Sequence, residues 1–423
     1  MDELKKTALV LAGGGLTGAG YEIGALRAIN DLLIDRTVND FDIFVGTSAG
    51  ALVGAMLANG ITPEDMMQAV AGSHPELLPI ERKHIFNIKR SELLQRGLAL
   101  PKKVTRSWWR FLRSSDMTFF DLAWSLLDVL PAGFYDGMAL DRYVRETLRQ
   151  RGKCNCFTEL EKDLFIVATD LDSGDRAVFS RETPDVPVSL AVAASSAIPL
   201  VYRPVRIGEC EYVDGGLRGN ASLDIAIEAG ATLIVCINPM VPFDNRDHHS
   251  IPERILMGSR GARYLSESGM NFIANQVTRI LTHASIRYHV KQLRRTHPEV
   301  DIILIEPRPD DYEMFFYNPM RYSARLEIAR YGFESATVGL AEEYALYKAT
   351  LARHGIPITR RLVIQELAAL EEVEDGEARR EVLRRILEAR KVTYQHREGN
   401  PLWQLQRTLT ELEYLLADSS GSE

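Results

Sequence analysis

Residues 7–16 read TALVLAGGGL, and residues 41–57 read FDIFVGTSAGALVGAML. Each opens as a short apolar run, passes through glycines and continues into small and apolar residues suited to a packed helix. Strand, tight turn and helix, twice in succession, predict a parallel α/β sheet. The expected strands are Thr7–Leu11 and Phe41–Val45, with a helix over about Gly20–Leu33 between them. Further strands are expected at Leu164–Thr169, Arg176–Phe179, Glu211–Val213, Thr232–Ile237 and Asp301–Ile305. The stretches 62–160 and 240–298 read as mostly helical, and so does almost everything after 310. This organisation predicts an α/β domain over 1–310, with a helical insertion at about 62–160, and a helical C-terminal extension over 311–423.

Composition narrows the function classes. The 423 residues are 46% hydrophobic and carry a formal net charge of -8, enough for a large core and wrong in sign for a general nucleic-acid binder. Cys154, Cys156, Cys210 and Cys236 form no CxxC pair and lie far from any histidine cluster. Neither a zinc site nor a disulfide framework is indicated, and no metal or cofactor is expected. The start MDELKKTALVLAGGG has two lysines before an apolar run, but that run is too short for a signal peptide and reads as a first buried strand. No stretch reaches the roughly 18 apolar residues needed to span a bilayer. The expectation is a cytoplasmic protein whose membrane contact, if any, is peripheral.

Gly13, Gly15 and Gly18 fit the dinucleotide fingerprint GxGxxG. A dinucleotide site also needs an acidic residue at the end of the second strand to bind the ribose. That place holds Gly46-Thr47-Ser48-Ala49-Gly50, a GxSxG pattern, so an oxidoreductase reading is disfavoured. Flanking glycines allow a sharp strand-to-helix turn, and the helix N-terminus directs positive potential at the serine oxygen. If the two strands are neighbours, the amides of Gly13, Gly14 and Gly15 can face Ser48 and bind an oxyanion formed during ester attack.

A serine hydroxyl needs a base. The chain has nine histidines, and none lies in a stretch that reads as a catalytic loop. Asp214, in YVDGGLRGN, follows an expected strand and precedes Gly215 and Gly216, which leaves its carboxylate at a strand end on a compliant backbone. Asp-Gly is also an ordinary turn signal, so this reading stands beside a structural one.

Taken together, the motifs resemble those of the patatin-like phospholipase family. GGGLTG at 13–18 is similar to its oxyanion loop, GTSAG at 46–50 to its nucleophile elbow, DGG at 214–216 to its aspartate motif, and ASSAIP at 194–199 to a small-residue segment before the aspartate. GFYDG at 133–137 also fits, and the likeness covers about residues 5–240. It implies a three-layer α/β fold with a mainly parallel central sheet, a Ser48–Asp214 dyad without histidine, and oxyanion donors from Gly13, Gly14 and Gly15. Gly18, Gly46, Gly50, Gly215 and Gly216 would support these motifs. The implied activity is hydrolysis of fatty acyl esters of phospholipids, lysophospholipids or related lipids. The family usually has arginine or lysine where this chain has Thr17, a departure that bears on head-group preference.

From Arg82 to Arg113 there are ten basic residues and one acidic, Glu92, and Trp108, Trp109 and Trp124 fall within 82–134. Basic charge with interfacial aromatics suits an anionic lipid surface, so this segment is expected to make peripheral membrane contact. Two other readings stand beside the hydrolase: an α/β-hydrolase esterase with a Ser–Asp–His triad, in which His248 and His249 are tested first, and a catalytically weak lipid-binding protein. Only about two strands precede Ser48, which counts against the triad fold.

Overall fold

The computed structural model describes residues 5–87, 132–246, 264–309 and 320–361, with isolated positions at 109, 314, 315, 378, 382, 385 and 386. Its centre is an eight-stranded sheet. In chain order the strands are β1 (Lys6–Leu11), β2 (Ile43–Thr47), β3 (Gly133–Tyr135), β4 (Asp163–Asp170), β5 (Arg176–Phe179), β6 (Leu200–Tyr202), β7 (Val205–Ile207), β8 (Cys210–Asp214), β9 (Ala231–Ile237) and β10 (Asp301–Ile305). The sheet order is β10-β9-β1-β2-β4-β8-β7, with β5 also on β4, while β3 and β6 form a separate parallel pair. The pairs from β10 to β4 are all parallel, whereas β8, β7 and β5 join antiparallel.

Why β1 is a continuous apolar run follows from its position. Leu9 and Leu11 enter one hydrophobic core and Ala8 and Val10 the other, and all four are fully buried. A strand covered on both faces shows no polar alternation. The first core lies under helices α1 (Gly15–Leu32), α2 (Ala49–Ala58), α3 (Pro63–Ala71), α5 (Met138–Gln150) and α6 (Val188–Ser195), with α4 (Arg82–Ile85) at its margin. The second lies under α7 (Leu223–Glu228) and α8 (Met270–Thr296). The result is α/β/α layering around the mainly parallel sheet that the two opening stretches predict.

Two further helices, α9 (Arg325–Glu342) and α10 (Tyr344–Ala352), fall in the segment expected as a helical extension and share the first core. Helix α9 crosses α1 backbone to backbone: a methyl group on Gly24 would stand 2.1 Å from the Ala329 carbonyl, and one on Gly332 2.5 Å from that of Tyr21. The chain then returns to the end of α1, where the Thr359 N–H donates to the Leu32 carbonyl (2.8 Å).

Three differences from expectation have simple causes. Helix α1 begins at Gly15 rather than Gly20, because burial on both sides outweighs the low helix propensity of the glycines. Strands β3, β6 and β7 were not expected, since three residues are too few to show a period. Among the described residues of 62–160, helices α3, α4 and α5 are accompanied by β3, which was not expected there. Residues 88–108 and 110–131, most of the expected membrane-contacting segment, lie outside the described residues.

Candidate active site

The site is assembled on one edge of β4. Residues 163–167 of β4 pair with β2, and residues 168–170 pair with β8. Strand β5 pairs with 166–169 and so occupies the opposite edge. Strands β2 and β8 therefore run toward each other along one edge and meet end to end, Thr47 opposite Val167 and Asp214 opposite Ala168. The residues at that junction are Ser48 and Asp214.

Ser48 adopts φ 55° and ψ -116°, a region that a residue with a Cβ rarely enters. Such strain costs of order 1–3 kcal/mol and persists only where the surroundings impose it. The flanking glycines make the turn possible. A Cβ at Gly46 would lie 2.4 Å from the Gly50 carbonyl, and one at Gly50 would lie 2.2 Å from that of Leu11. Helix α2 starts at the next residue, so its N-terminus faces the serine.

The ASSAIP segment, at the C-terminal end of α6, holds both residues in place. The Ser48 N–H donates to Ser195 Oγ (2.8 Å), whose hydroxyl donates to the Val167 carbonyl (2.6 Å). Ser196 donates its hydroxyl to the Ser48 carbonyl (3.2 Å), and the Asp214 N–H donates to the Ala197 carbonyl (3.0 Å). The serines were legible as a small-residue motif, but their partners were not, because Ser48 and Ser195 are 147 residues apart. Ser195→Ala is expected to destabilise the fold by about 1–3 kcal/mol, the cost of a buried N–H left without an acceptor. Ser196→Ala should cost less, since the Ser48 carbonyl also accepts from the Ala51 N–H (3.0 Å). Urea midpoints of the two variants check the order.

Asp214 is 7% exposed. Burial raises its carboxyl to about 6, against the opposing pull of hydrogen bonds from the Ser48 side chain and the Gly216 N–H (2.8 Å). A carboxylate with that affinity for a proton, beside a serine hydroxyl, is suited to act as a general base near neutral pH. A Cβ at Gly215 would lie 2.2 Å from the Val167 carbonyl, which explains the glycine after the aspartate.

The glycine loop after β1 emerges beside the elbow because β1 and β2 are adjacent, with Leu11 opposite Gly46. A Cβ on Gly13 would stand 3.1 Å from Ser48 Cβ and 2.5 Å from Asn220 Oδ1. Gly13 departs from the expected donor role: its N–H already donates to the Asn220 carbonyl (3.2 Å), and its carbonyl accepts from Asn220 Nδ2 (3.0 Å). Gly14 and Gly15 open α1, where first-turn N–H groups have no carbonyl partner within the helix. An oxygen facing them would meet hydrogen-bond donors and the positive helix end. Gly18 packs on Pro239, and its N–H donates to the Gly14 carbonyl (3.0 Å), closing the loop. Thr17 is buried in the same turn. Asn220 is the buried residue that sequence reasoning passed over; it lies in the quoted stretch YVDGGLRGN, but only the fold brings it to Gly13.

Between α1, α2, α3 and α5 runs an apolar cavity lined by Leu16, Leu52, Met56, Met66, Leu77 and Tyr143, among others. Leu16 follows the glycine loop directly, and Leu52 sits one helical turn beyond Ser48. Among the described residues each histidine is engaged elsewhere: His74 with Asp65, His84 with the Glu81 N–H, His283 with Glu306, His289 with Asp224, His297 with Glu299 and His354 with Asp301. His248, His249 and His396 lie outside the described residues. Among the described residues no helix is long and apolar enough to cross a membrane.

Similar proteins match about half of this chain. YqhO of Bacillus subtilis is 27% identical over 223 residues, 50% of this chain and 63% of its own length. A probable lipid hydrolase, 463L, of Invertebrate iridescent virus 6 is 25% identical over 221 residues, 52% of this chain and 63% of its own. The NTE family protein MT2641 of Mycobacterium tuberculosis is 27% identical over 236 residues, 54% of this chain and 30% of its own. The matches thus span less than two thirds of these relatives' own lengths. The family profile described as patatin-like phospholipase matches residues 9–227, which is more than half of the chain and contains the GGGLTG, GTSAG and DGG segments. The chain belongs to the patatin-like phospholipase family.

Proposed function

We propose that the protein hydrolyses fatty acyl esters of phospholipids, lysophospholipids or related lipids through a Ser48 acyl-enzyme, with Asp214 as direct base. The observation that carries this reading is the end-to-end meeting of β2 and β8 on one edge of β4, which sets Ser48 beside a buried Asp214 carboxyl that burial raises to about 6. Asp214 takes the hydroxyl proton as the serine oxygen attacks the ester carbonyl, and the tetrahedral oxyanion forms toward the amides of Gly14 and Gly15. Gly13 serves by close approach, locking the loop to Asn220. The alcohol leaves with the proton, and water activated by the same carboxylate frees the fatty acid. Membership of the family supports lipid ester hydrolysis in general, and the 463L name supports it for a relative.

The apolar cavity supports an acyl-chain site, since it starts beside the glycine loop and within a turn of the nucleophile. Leu217, three residues beyond Asp214, is exposed, as are Leu200 and Phe134 on the paired strands β6 and β3, which supports contact with an apolar substrate surface. The engagement of every described histidine with another partner argues against a triad. The test is a panel of p-nitrophenyl acyl esters of graded length and of phospholipids, run with a fluorophosphonate probe. Release of fatty acid, a preference for longer acyl chains and labelling at Ser48 are expected. A protein that binds these lipids but neither turns over nor labels would be the catalytically weak lipid binder instead.

A further inference from the structure

At the N-terminal end of α6, remote from Ser48, the turn Lys153-Cys154-Asn155-Cys156 brings two sulfurs together. Cys154 Sγ and Cys156 Sγ are 2.8 Å apart, and both residues are partly exposed. Non-bonded heavy atoms rest about 3.5–4.0 Å apart, and an S–S bond measures about 2.05 Å, so closure needs a movement of under about 1 Å. The Cys156 N–H points at Cys154 Sγ (3.1 Å), and the carboxylate of Glu159 lies with both sulfurs, all within 4.8 Å of one another.

Asn155, between the cysteines, is the anchor of α6. Its backbone carbonyl accepts from the Val188 N–H (3.1 Å), its Oδ1 from the Ser189 N–H (2.8 Å), and its Nδ2 donates to Ser189 Oγ (2.9 Å). Ser189 in turn donates to buried Asp141 (2.7 Å). The other end of the same eight-residue helix carries Ser195, and Ser196 and Ala197 follow it directly, the three residues that hold Ser48 and Asp214.

We propose that Cys154 and Cys156 are a redox-active dithiol that closes to a disulfide by exchange with a low-molecular-weight disulfide, stiffening the anchor of the helix that positions Ser48 and Asp214. The thiolate of Cys156 attacks one sulfur of RSSR, forming a mixed disulfide and releasing RS⁻. Cys154 loses its proton to Glu159 or water and displaces the second RS⁻. The two cysteines lose two electrons and two protons, and RSSR becomes two RSH. Burial, then hydrogen bonds with Cys156 and Glu159, pushes the Cys154 thiol up to about 12, which fits its place as the second thiol to react. A metal ion suits the geometry less well. A tetrahedral zinc with bonds of about 2.3 Å would hold two sulfurs about 3.8 Å apart and asks for four ligands, whereas the described residues offer three, one of them exposed.

The full chain, equilibrated in glutathione buffers of graded reduced-to-oxidised ratio, tests this. The expected result is an intact mass about 2 Da lower in the oxidising buffers, with the number of titratable thiols falling from the four of the sequence by one pair. The peptide containing 154–156 should resist alkylation, and Cys154→Ser or Cys156→Ser, but not Cys210→Ser, should abolish the change. Amide exchange across 188–195 should slow severalfold on oxidation. Thiols that all remain alkylatable in the most oxidising buffer, a disulfide reaching Cys210, or stoichiometric zinc that survives dialysis and blocks oxidation would each overturn the proposal, and unchanged exchange would remove its link to the helix. Because the readouts are mass, thiols and exchange, failure here is separate from failure of the hydrolase reading, on which only the meaning of the link rests.

Discussion

Ser48→Ala is expected to lower kcat/KM for acyl esters by about 10⁴-fold or more, the scale seen when a nucleophile is removed from a hydrolytic site. The effect should be almost wholly catalytic. Alanine keeps a Cβ and therefore keeps the strain at φ 55°, and the N–H bond to Ser195 belongs to the backbone. Removing the hydroxyl also takes one hydrogen bond from the Asp214 carboxylate, so that carboxyl should rise further above its ordinary value. Steady-state kinetics beside a thermal melt checks both halves. A variant that folds and retains more than about one part in a hundred of the rate would show that the hydroxyl is not the attacking group.

Asp214→Asn should cost about 10³- to 10⁴-fold in kcat/KM, because the amide fills the same space and accepts from the Gly216 N–H but takes no proton. The wild-type pH profile carries the same information. The base works as a carboxylate, so kcat/KM should be level above pH 7 and fall as pH drops through about 6, the value to which burial raises the group. Stability runs the other way. The folded carboxyl sits at about 6 and an unfolded one near 4, so the folded state binds more protons between these limits. The contribution of Asp214 is thus most favourable at low pH and is lost as pH rises from about 4 to 6. Above that window the ionised group costs on the order of 2–3 kcal/mol, and asparagine should recover part of it. The expected pair of results is a slower enzyme that melts higher at pH 8. Near-normal turnover in a folded Asp214→Asn protein would move the base elsewhere, with His248 and His249 the first to replace.

Both predictions concern residues that local patterns could find. Strand β1 was legible because burial on both faces leaves an unbroken apolar run. The elbow was legible because a turn through φ 55° between strand and helix tolerates only glycines around it. The aspartate motif was weaker, because Asp-Gly marks turns of every kind. Nothing local told Gly13 apart from Gly14 and Gly15, and only the pairing with Asn220 shows that its amide is already engaged. The two-residue spacing of Cys154 and Cys156 was visible too, yet whether their sulfurs meet depends on how Asn155 is fastened to α6.

The sequence alone thus determined the strand–turn–helix units, the α/β class and the serine at the candidate elbow, because these follow from side-chain period and from backbone conformations open to few residues. The tertiary structure alone decided that β8 runs antiparallel into the end of β2 on the edge of β4, which brings a serine and an aspartate far apart in the sequence side by side. It also decided how strongly that aspartate holds a proton, since desolvation is a property of the assembled surroundings and of no residue by itself.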